Sequence, residues 1–167
     1  MTHDIDTKTA DFLYRLYCLL FNEATIDTWT KGRTFETAAA NTLPVHWRIV
    51  AVSRNALEHI AREQHAKGLQ RGHAYKRHDR AREIFERTAP MTADTLLPFF
   101  LQLDSVTLVT KSENAKDGSE GWSDTVSVPQ DGDLFKPGRR FGVGIRKRKE
   151  LAWVIDTLIK LHTTDPV

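Results

Sequence analysis

The sequence predicts an α+β domain, predominantly helical, with a small sheet and a C-terminal amphipathic helix. Three observations carry that expectation. Apolar residues recur at helical spacing, most regularly at Leu151, Val154, Ile155, Leu158 and Ile159. One run, Ser105 to Thr110, is β-branched and alternating, the pattern of a strand. From 111 to 144 the chain is rich in Gly, Ser, Asp and Pro and offers only one brief strand, at 125–128. A length of 167 residues, 40% of them hydrophobic and 28% charged, fits one globular domain over 1–167 with one core.

In chain order, Thr7 to Glu23 reads as a core helix, its broad apolar face made by Phe12, Leu13, Leu16, Tyr17, Leu19 and Leu20. A short helix follows at Thr34–Ala40, before Pro44. Trp47, Ile49 and Val50 form an apolar run of ambiguous type. Ser53 is placed to cap a helix through about His65, with Lys67-Gly68 ending it. Residues 69–75 lack helical periodicity and contain Gly72, so an extended segment is expected there. Lys76 to Arg87 returns to helical spacing with Ala81, Ile84 and Phe85 inward and the arginines outward. Thr92 caps the next helix, in which Pro98 falls in the second turn. The last helix runs from about Lys147 to His162.

No apolar run reaches the roughly 20 residues that cross a membrane. The longest, Phe12 to Phe21, is interrupted by Arg15 and follows acidic residues, unlike a signal peptide. The expectation is a cytoplasmic protein with no membrane partner. Cys18, the single cysteine, lies among Leu16, Tyr17, Leu19 and Leu20 and reads as a buried, inert thiol.

The net charge of +2 is unevenly distributed. Arg62 to Arg87 holds eight Lys/Arg and four Asp/Glu, a local +4; Lys136 to Lys149 holds seven and none, a local +7. The remainder of the chain stands at −9. Basic segments on an acidic chain repel each other unless a polyanion is bound, which makes nucleic acid, DNA before RNA, the leading partner. Solvated helix surface is the plain alternative.

The densest chemistry is Gln70 to Arg82, QRGHAYKRHDRAR. His73 stands beside Gly72 with Arg71, Lys76 and Arg77 around it, and like-charge proximity favours the neutral imidazole that a general base needs. Gly72 would let a phosphate or a neighbouring backbone come close. The alternative is a histidine that only hydrogen-bonds. Lys76, Arg77, Arg80 and Arg82 are candidate phosphate contacts. His78 and Asp79 lie at a helix start, where Asp79 either orients a histidine or caps the helix. Tyr75 either stacks on a base or packs.

Arg71-Gly72-His73 resembles part of the Asp-Arg-Gly-His motif of non-specific nucleases and, more generally, the histidine-bearing strand of HNH-type, ββα-metal nucleases. That resemblance implies a metal-dependent endonuclease of the phage-defence or mobile-element kind. It implies His73 as the base, with Arg71 and His78 beside it, and Asn114, with Glu113, as ligands of Mg2+ or another divalent cation. Gln70 stands where the fuller motif has Asp, a helical insertion separates the two pieces, and no second HNH histidine follows Asn114. Magnesium takes oxygen ligands and keeps waters, so Glu113, Asn114, Asp117 and Glu120 are suitable donors by type. An ordinary polar turn has the same composition.

Two other patterns compete. Arg54-x4-His59 matches the spacing of HEPN-type ribonucleases, which would make the protein a homodimer because positions i and i+5 diverge by about 140° on one helix. The same helix, with Arg54, Asn55 and Glu58 at its start, is similar to the recognition helix of a helix-turn-helix protein and gives a non-catalytic DNA-binding alternative. An amphipathic helix burying Leu57, Ile60 and Ala61 satisfies both. Finally, Arg139, Arg140, Arg146, Lys147, Arg148 and Lys149 are interleaved with Gly138, Gly142 and Gly144, a composition suited to following phosphates. It is no Walker loop, since Gly-x4-Gly-Lys-Ser/Thr is missing.

Overall fold

The computed structural model describes residues 5–43, 47–115, 122–130, 133–136 and 143–164. In chain order the elements are α1 (Thr7–Asn22), α2 (Thr28–Thr42), β1 (Ile49–Ser53), α3 (Arg54–Glu63), β2 (Leu69–His73), α4 (Arg77–Phe85), α5 (Ala93–Leu103), β3 (Val106–Thr110), α6 (Lys111–Asn114), β4 (Thr125–Ser127) and α7 (Ala152–Thr164), the last preceded by a π-helical turn at Lys147–Leu151. The α+β class, mostly helical around one small sheet, is as the sequence predicts. The chain forms two compact units, each made of two stretches: 1–47 with 75–105, and 48–74 with 106–167.

The first unit is helical. Asp6 and Asp27 start α1 and α2, their carboxylates accepting from Thr9 N at 3.0 Å and Thr30 N at 2.9 Å. The cap at Asp27 starts α2 earlier than the Thr34–Ala40 helix expected, because its first turns carry few apolar residues for periodicity to register. Leu13, Tyr17, Phe35, Leu96 and Phe100 lead the core. Phe35 meets Phe100 edge-on with centroids 5.2 Å apart. The Tyr17 hydroxyl accepts from Met91 N at 2.8 Å, so its burial leaves no orphaned phenol. Cys18 is half-buried rather than buried. Helices α2 and α4 approach closely at Gly32, where a Cβ would lie 2.4 Å from that of Ala81.

The inner face of α4 corrects one expectation. Arg77 and Arg80 share it with Ala81, Ile84 and Phe85, at the i, i+3, i+4, i+7, i+8 positions of a buried stripe. Arg80 is 3% exposed; Nη2 lies 3.2 Å from Glu36 Oε2, and Nη1 pairs with Asp104 Oδ1. Arg77 pairs with Glu36 at 3.3 Å, and its guanidinium lies over the Trp47 ring at 5.2 Å. Asp104 also accepts from Trp47 N at 2.8 Å. Arg80 therefore points into the protein, away from any nucleic acid, and Arg77 is committed to Glu36.

The second unit is built on a four-stranded sheet of order β2-β3-β1-β4. Strands β1 and β3 are parallel; β2 on β3 and β4 on β1 are antiparallel. The ambiguous run before Ser53 is thus a strand. The segments expected as strands at 69–75, 105–110 and 125–128 contain β2, β3 and β4. Val106, Thr107, Leu108 and Val109 are all buried, so the central strand β3 is covered on both faces. Ser53 caps α3 as expected, accepting from Ala56 N at 3.2 Å. The helix stops at Gln64, whose backbone is left-handed (φ 56°), ahead of the Lys67-Gly68 stop foreseen.

Replacing Arg80 with Ala takes the guanidinium from buried Asp104 and one of those facing buried Glu36, which keeps Arg33 and Arg77, and the expected destabilisation is about 3–5 kcal/mol by urea denaturation. Arg82→Ala, which removes only the exposed pair to Glu86, is expected to change stability by less than about 1 kcal/mol in the same measurement.

Candidate nucleic-acid interface

Strand alternation decides the geometry around His73. Cross-strand partners share a face, so Gln70 with Val109 and Gly72 with Thr107 lie on one side of the sheet. Arg71 with Leu108 and His73 with Val106 lie on the other. Asn114 belongs to the first side: its Nδ2 donates to Gln70 Oε1 at 2.7 Å, and its Oδ1 is 3.1 Å from where a Gly72 Cβ would be. The His73 and Asn114 side chains are therefore on opposite faces of β2. The pairing on one metal implied by the HNH resemblance is not built by this strand register.

Gly72 has a local cause. A Cβ there would lie 2.5 Å from Cζ2 of Trp122, so the six-membered ring of the indole packs against the glycine. The space that could have admitted a phosphate on that face holds a tryptophan.

Glu113 is a structural hub. It is 3% exposed. Oε2 accepts from Ser53 Oγ at 2.9 Å and from Thr110 N and Oγ1, each at 2.8 Å. Oε1 accepts from Asn55 Nδ2 at 3.1 Å, Ser123 N at 2.9 Å and Ser123 Oγ at 2.6 Å. Burial pushes the Glu113 carboxyl up, but the bonds from Ser123 and Thr110 outweigh it and hold it down at about 2. With six donors on two oxygens, Glu113 does not fit the ligand role for Mg2+. Among the described residues no group of three or more His, Cys, Asp or Glu side chains could hold a metal ion. Asp117 and Glu120 lie outside the described residues.

The start of α3 is closed as well. Arg54 N donates to Asp124 O at 2.7 Å and Asn55 N to Ser123 Oγ at 3.2 Å, while the Asn55 amide is held by Glu113. A recognition helix must present this end to a groove; here the 122–124 segment covers it. Arg54 faces Glu58 at 3.6 Å, and the ring of His59 hydrogen-bonds Lys67 O at 3.0 Å, a contact that closes the turn into β2. The Arg54/His59 pair of the HEPN pattern is thus divided between two local structural contacts. His78 stands on α4 in the other unit, 3.6 Å from Asp79 and with its ring 6.2 Å from that of Trp29. Tyr75 donates to Glu83 at 3.3 Å.

The C-terminal basic segment has a built base. Glu150, 1% exposed, accepts from Phe135 N and Arg146 N, each at 2.9 Å, and pairs bidentately with the Arg146 guanidinium. Asp133 pairs with Arg146 at 3.0 Å and Lys149 at 2.8 Å. Hydrogen bonds from Lys149 and Arg146 hold the Asp133 carboxyl down at about 2. Phe135 is buried, has a left-handed backbone (φ 48°) and meets Trp153 edge-on at 5.7 Å. The π-helical turn Lys147–Leu151, closed by Leu151 N to Arg146 O at 3.2 Å, carries Lys147 and Arg148 outward. Both are exposed, and among the described residues neither has an ion pair or a hydrogen bond to its side chain. Arg139 and Arg140 lie outside the described residues.

Of the ten proposed phosphate contacts, Arg77, Arg80, Arg82, Arg146 and Lys149 pair with the chain's own carboxylates. Among the described residues, Lys76, Lys147 and Arg148 do not. Arg71 is half-buried, and burial lowers its guanidinium pKa. Sequence reasoning missed Trp122 and passed over Gln70; the Gly72 it noted was the one signal pointing to them. Comparison with protein-family models, curated proteins and solved structures gives no match for this chain.

Glu113 sets a pH dependence. Its folded pKa, about 2, is below the ordinary 4.5, so its stabilisation is complete above about pH 4.5 and is lost as pH falls toward 2. Acid titration of urea stability should show a loss on the order of 3 kcal/mol over that window, much reduced in Glu113→Gln.

Proposed function

We propose that the protein binds nucleic acid through the sugar–phosphate backbone, with Lys147 and Arg148 as its central cationic contacts. The observation that carries this reading is that these two side chains are uncompensated among the described residues, where their neighbours Arg146 and Lys149 are paired. Cations in the first turn of a helix oppose the macrodipole, at a cost of about 0.3–1 kcal/mol each, and a bound phosphate offsets that cost. The second unit also holds the excess of positive charge: 15 Lys and Arg against 11 Asp and Glu, compared with 9 against 11 in the first. A π-turn and a left-handed Phe135 in the flanking backbone are features that recur at functional sites.

An endonuclease activity is a second reading, favoured by Arg71 and His73 projecting from the same face of an edge strand. It no longer includes Asn114 and Glu113 as metal ligands, and no hydrolytic step follows from the residues that remain.

Two measurements test these readings. Lys147→Glu with Arg148→Glu should weaken binding to a DNA duplex at least tenfold and reduce the magnitude of the log K against log salt slope by about 2. An unchanged slope would remove these residues from the interface. For cleavage, wild-type protein is incubated with supercoiled plasmid in Mg2+ or Mn2+; nicking that His73→Ala abolishes supports the enzyme, and intact plasmid with wild type ends that reading.

A further inference from the structure

We infer that Trp122, Asn114 and Gln70 form a subsite for an unpaired nucleobase, so that the preferred ligand is single-stranded nucleic acid. This inference rests on the nucleic-acid reading above and deepens it.

The three side chains converge on one face of the edge strand. Trp122 is half-buried; Cζ2 and Cη2 of its indole lie against Gly72, which by lacking a Cβ lets the ring sit within contact distance of the strand backbone. An aromatic ring held in this way is a stacking platform, because its orientation is fixed before any ligand arrives and every base has a π-face to lay on it. Beside it, Asn114 Nδ2 donates to Gln70 Oε1 at 2.7 Å, which fixes both amides. That bond leaves Asn114 Oδ1 as an acceptor and Gln70 Nε2 as a donor, and among the described residues neither has a partner. An acceptor next to a donor is the complement of a base edge that offers a donor next to an acceptor, as adenine and cytosine do. In a duplex those edges are paired or stacked within the helix, so a platform on a sheet edge reaches them only in single strands or splayed bases. Lys111, exposed and one helical turn before Asn114, adds a cation for the attached phosphate.

The register of the site depends on the Glu113 hub. Glu113 binds the backbone and hydroxyl of Ser123, the residue after Trp122, and precedes Asn114 directly. One buried carboxylate thus sets the positions of both the ring and the amide.

The experiment uses wild-type protein and two probes, a single-stranded oligonucleotide carrying 5-iodouracil and a matched strand in which the bases are replaced by abasic sites. Photocrosslinking followed by peptide mapping should place the adduct on Trp122, and affinity for the abasic strand should be at least tenfold lower. Trp122→Ala should lose the same factor for the base-bearing strand while duplex affinity and its salt slope stay unchanged. Trp122→Phe, which keeps a ring over Gly72, should recover part of the loss and guards against a folding defect. An adduct mapped elsewhere, or equal affinity for base-bearing and abasic strands, overturns the subsite while leaving backbone binding intact. Failure of wild-type protein to bind either strand or duplex overturns the parent reading and the subsite together.

Discussion

The second unit depends on one buried carboxylate. Glu113 collects donors from the end of β3, the first turn of α3 and the 122–124 segment, three places far apart in sequence. Taking an ionised carboxylate out of water is expensive, and it persists only where its lone pairs are fully used. Its presence therefore fixes the relative positions of all three segments tightly, since displacing any one of them leaves a buried charge under-solvated. The capping box of Thr110 and Glu113 makes α6 possible at only four residues, because the same carboxylate that caps the helix also anchors it to the sheet.

That constraint explains why the face of β2 around Gly72 differs from the face around His73. Ser123, fixed by Glu113, brings the preceding Trp122 against the sheet, and only a glycine in β2 can accept the ring there. The alternation of the strand then puts His73 on the far side, with Arg71. A three-residue motif gives residue types in order along the chain. Chemistry requires them in order around a point, and a period of two residues divides the Arg-Gly-His run between two faces.

Much of the fold was legible in the sequence. The cap at Ser53, the position of Thr92 ahead of α5 (where its side chain makes no capping bond), the amphipathic periodicity of α1 and α7, and the β-branched run of β3 are local signals, and each gave the correct element type. The longer α2 was less legible, because Trp29 is almost its only apolar residue before Phe35, and β1 because its apolar run fits a strand or a buried helix. The candidate sites were harder. The helical spacing of 77, 80, 81, 84 and 85 does place two arginines on the buried stripe, but their acceptors, Glu36 and Asp104, are 44 and 24 residues away from Arg80. Periodicity can say that Arg80 faces inward; it cannot supply the carboxylates that make this tolerable. The role of Glu113 was illegible for the same reason, since four of its six donors come from Ser53, Asn55 and Ser123, whose proximity is created only by the sheet and the 122–124 segment.

The charge of a window is for that reason a poor guide to a binding surface until internal partners are removed. The +7 of Lys136 to Lys149 excludes Asp133 and Glu150 by three residues on one side and one on the other, and those two acids hold Arg146 and Lys149. What is left at the π-turn is a smaller charge with a firmer foundation. Arg146 acts as the positioning group, its guanidinium locked by Glu150 and Asp133, and this lock orients the backbone that displays Lys147 and Arg148. A cation carried on a mobile backbone loses backbone as well as rotamer entropy when it meets a phosphate; one displayed from a fixed turn loses only that of its own stem. Internal pairing and external binding are thus complementary uses of the same basic segment. The paired residues build the turn, and in the proposed reading the unpaired ones on it are the groups offered to a polyanion.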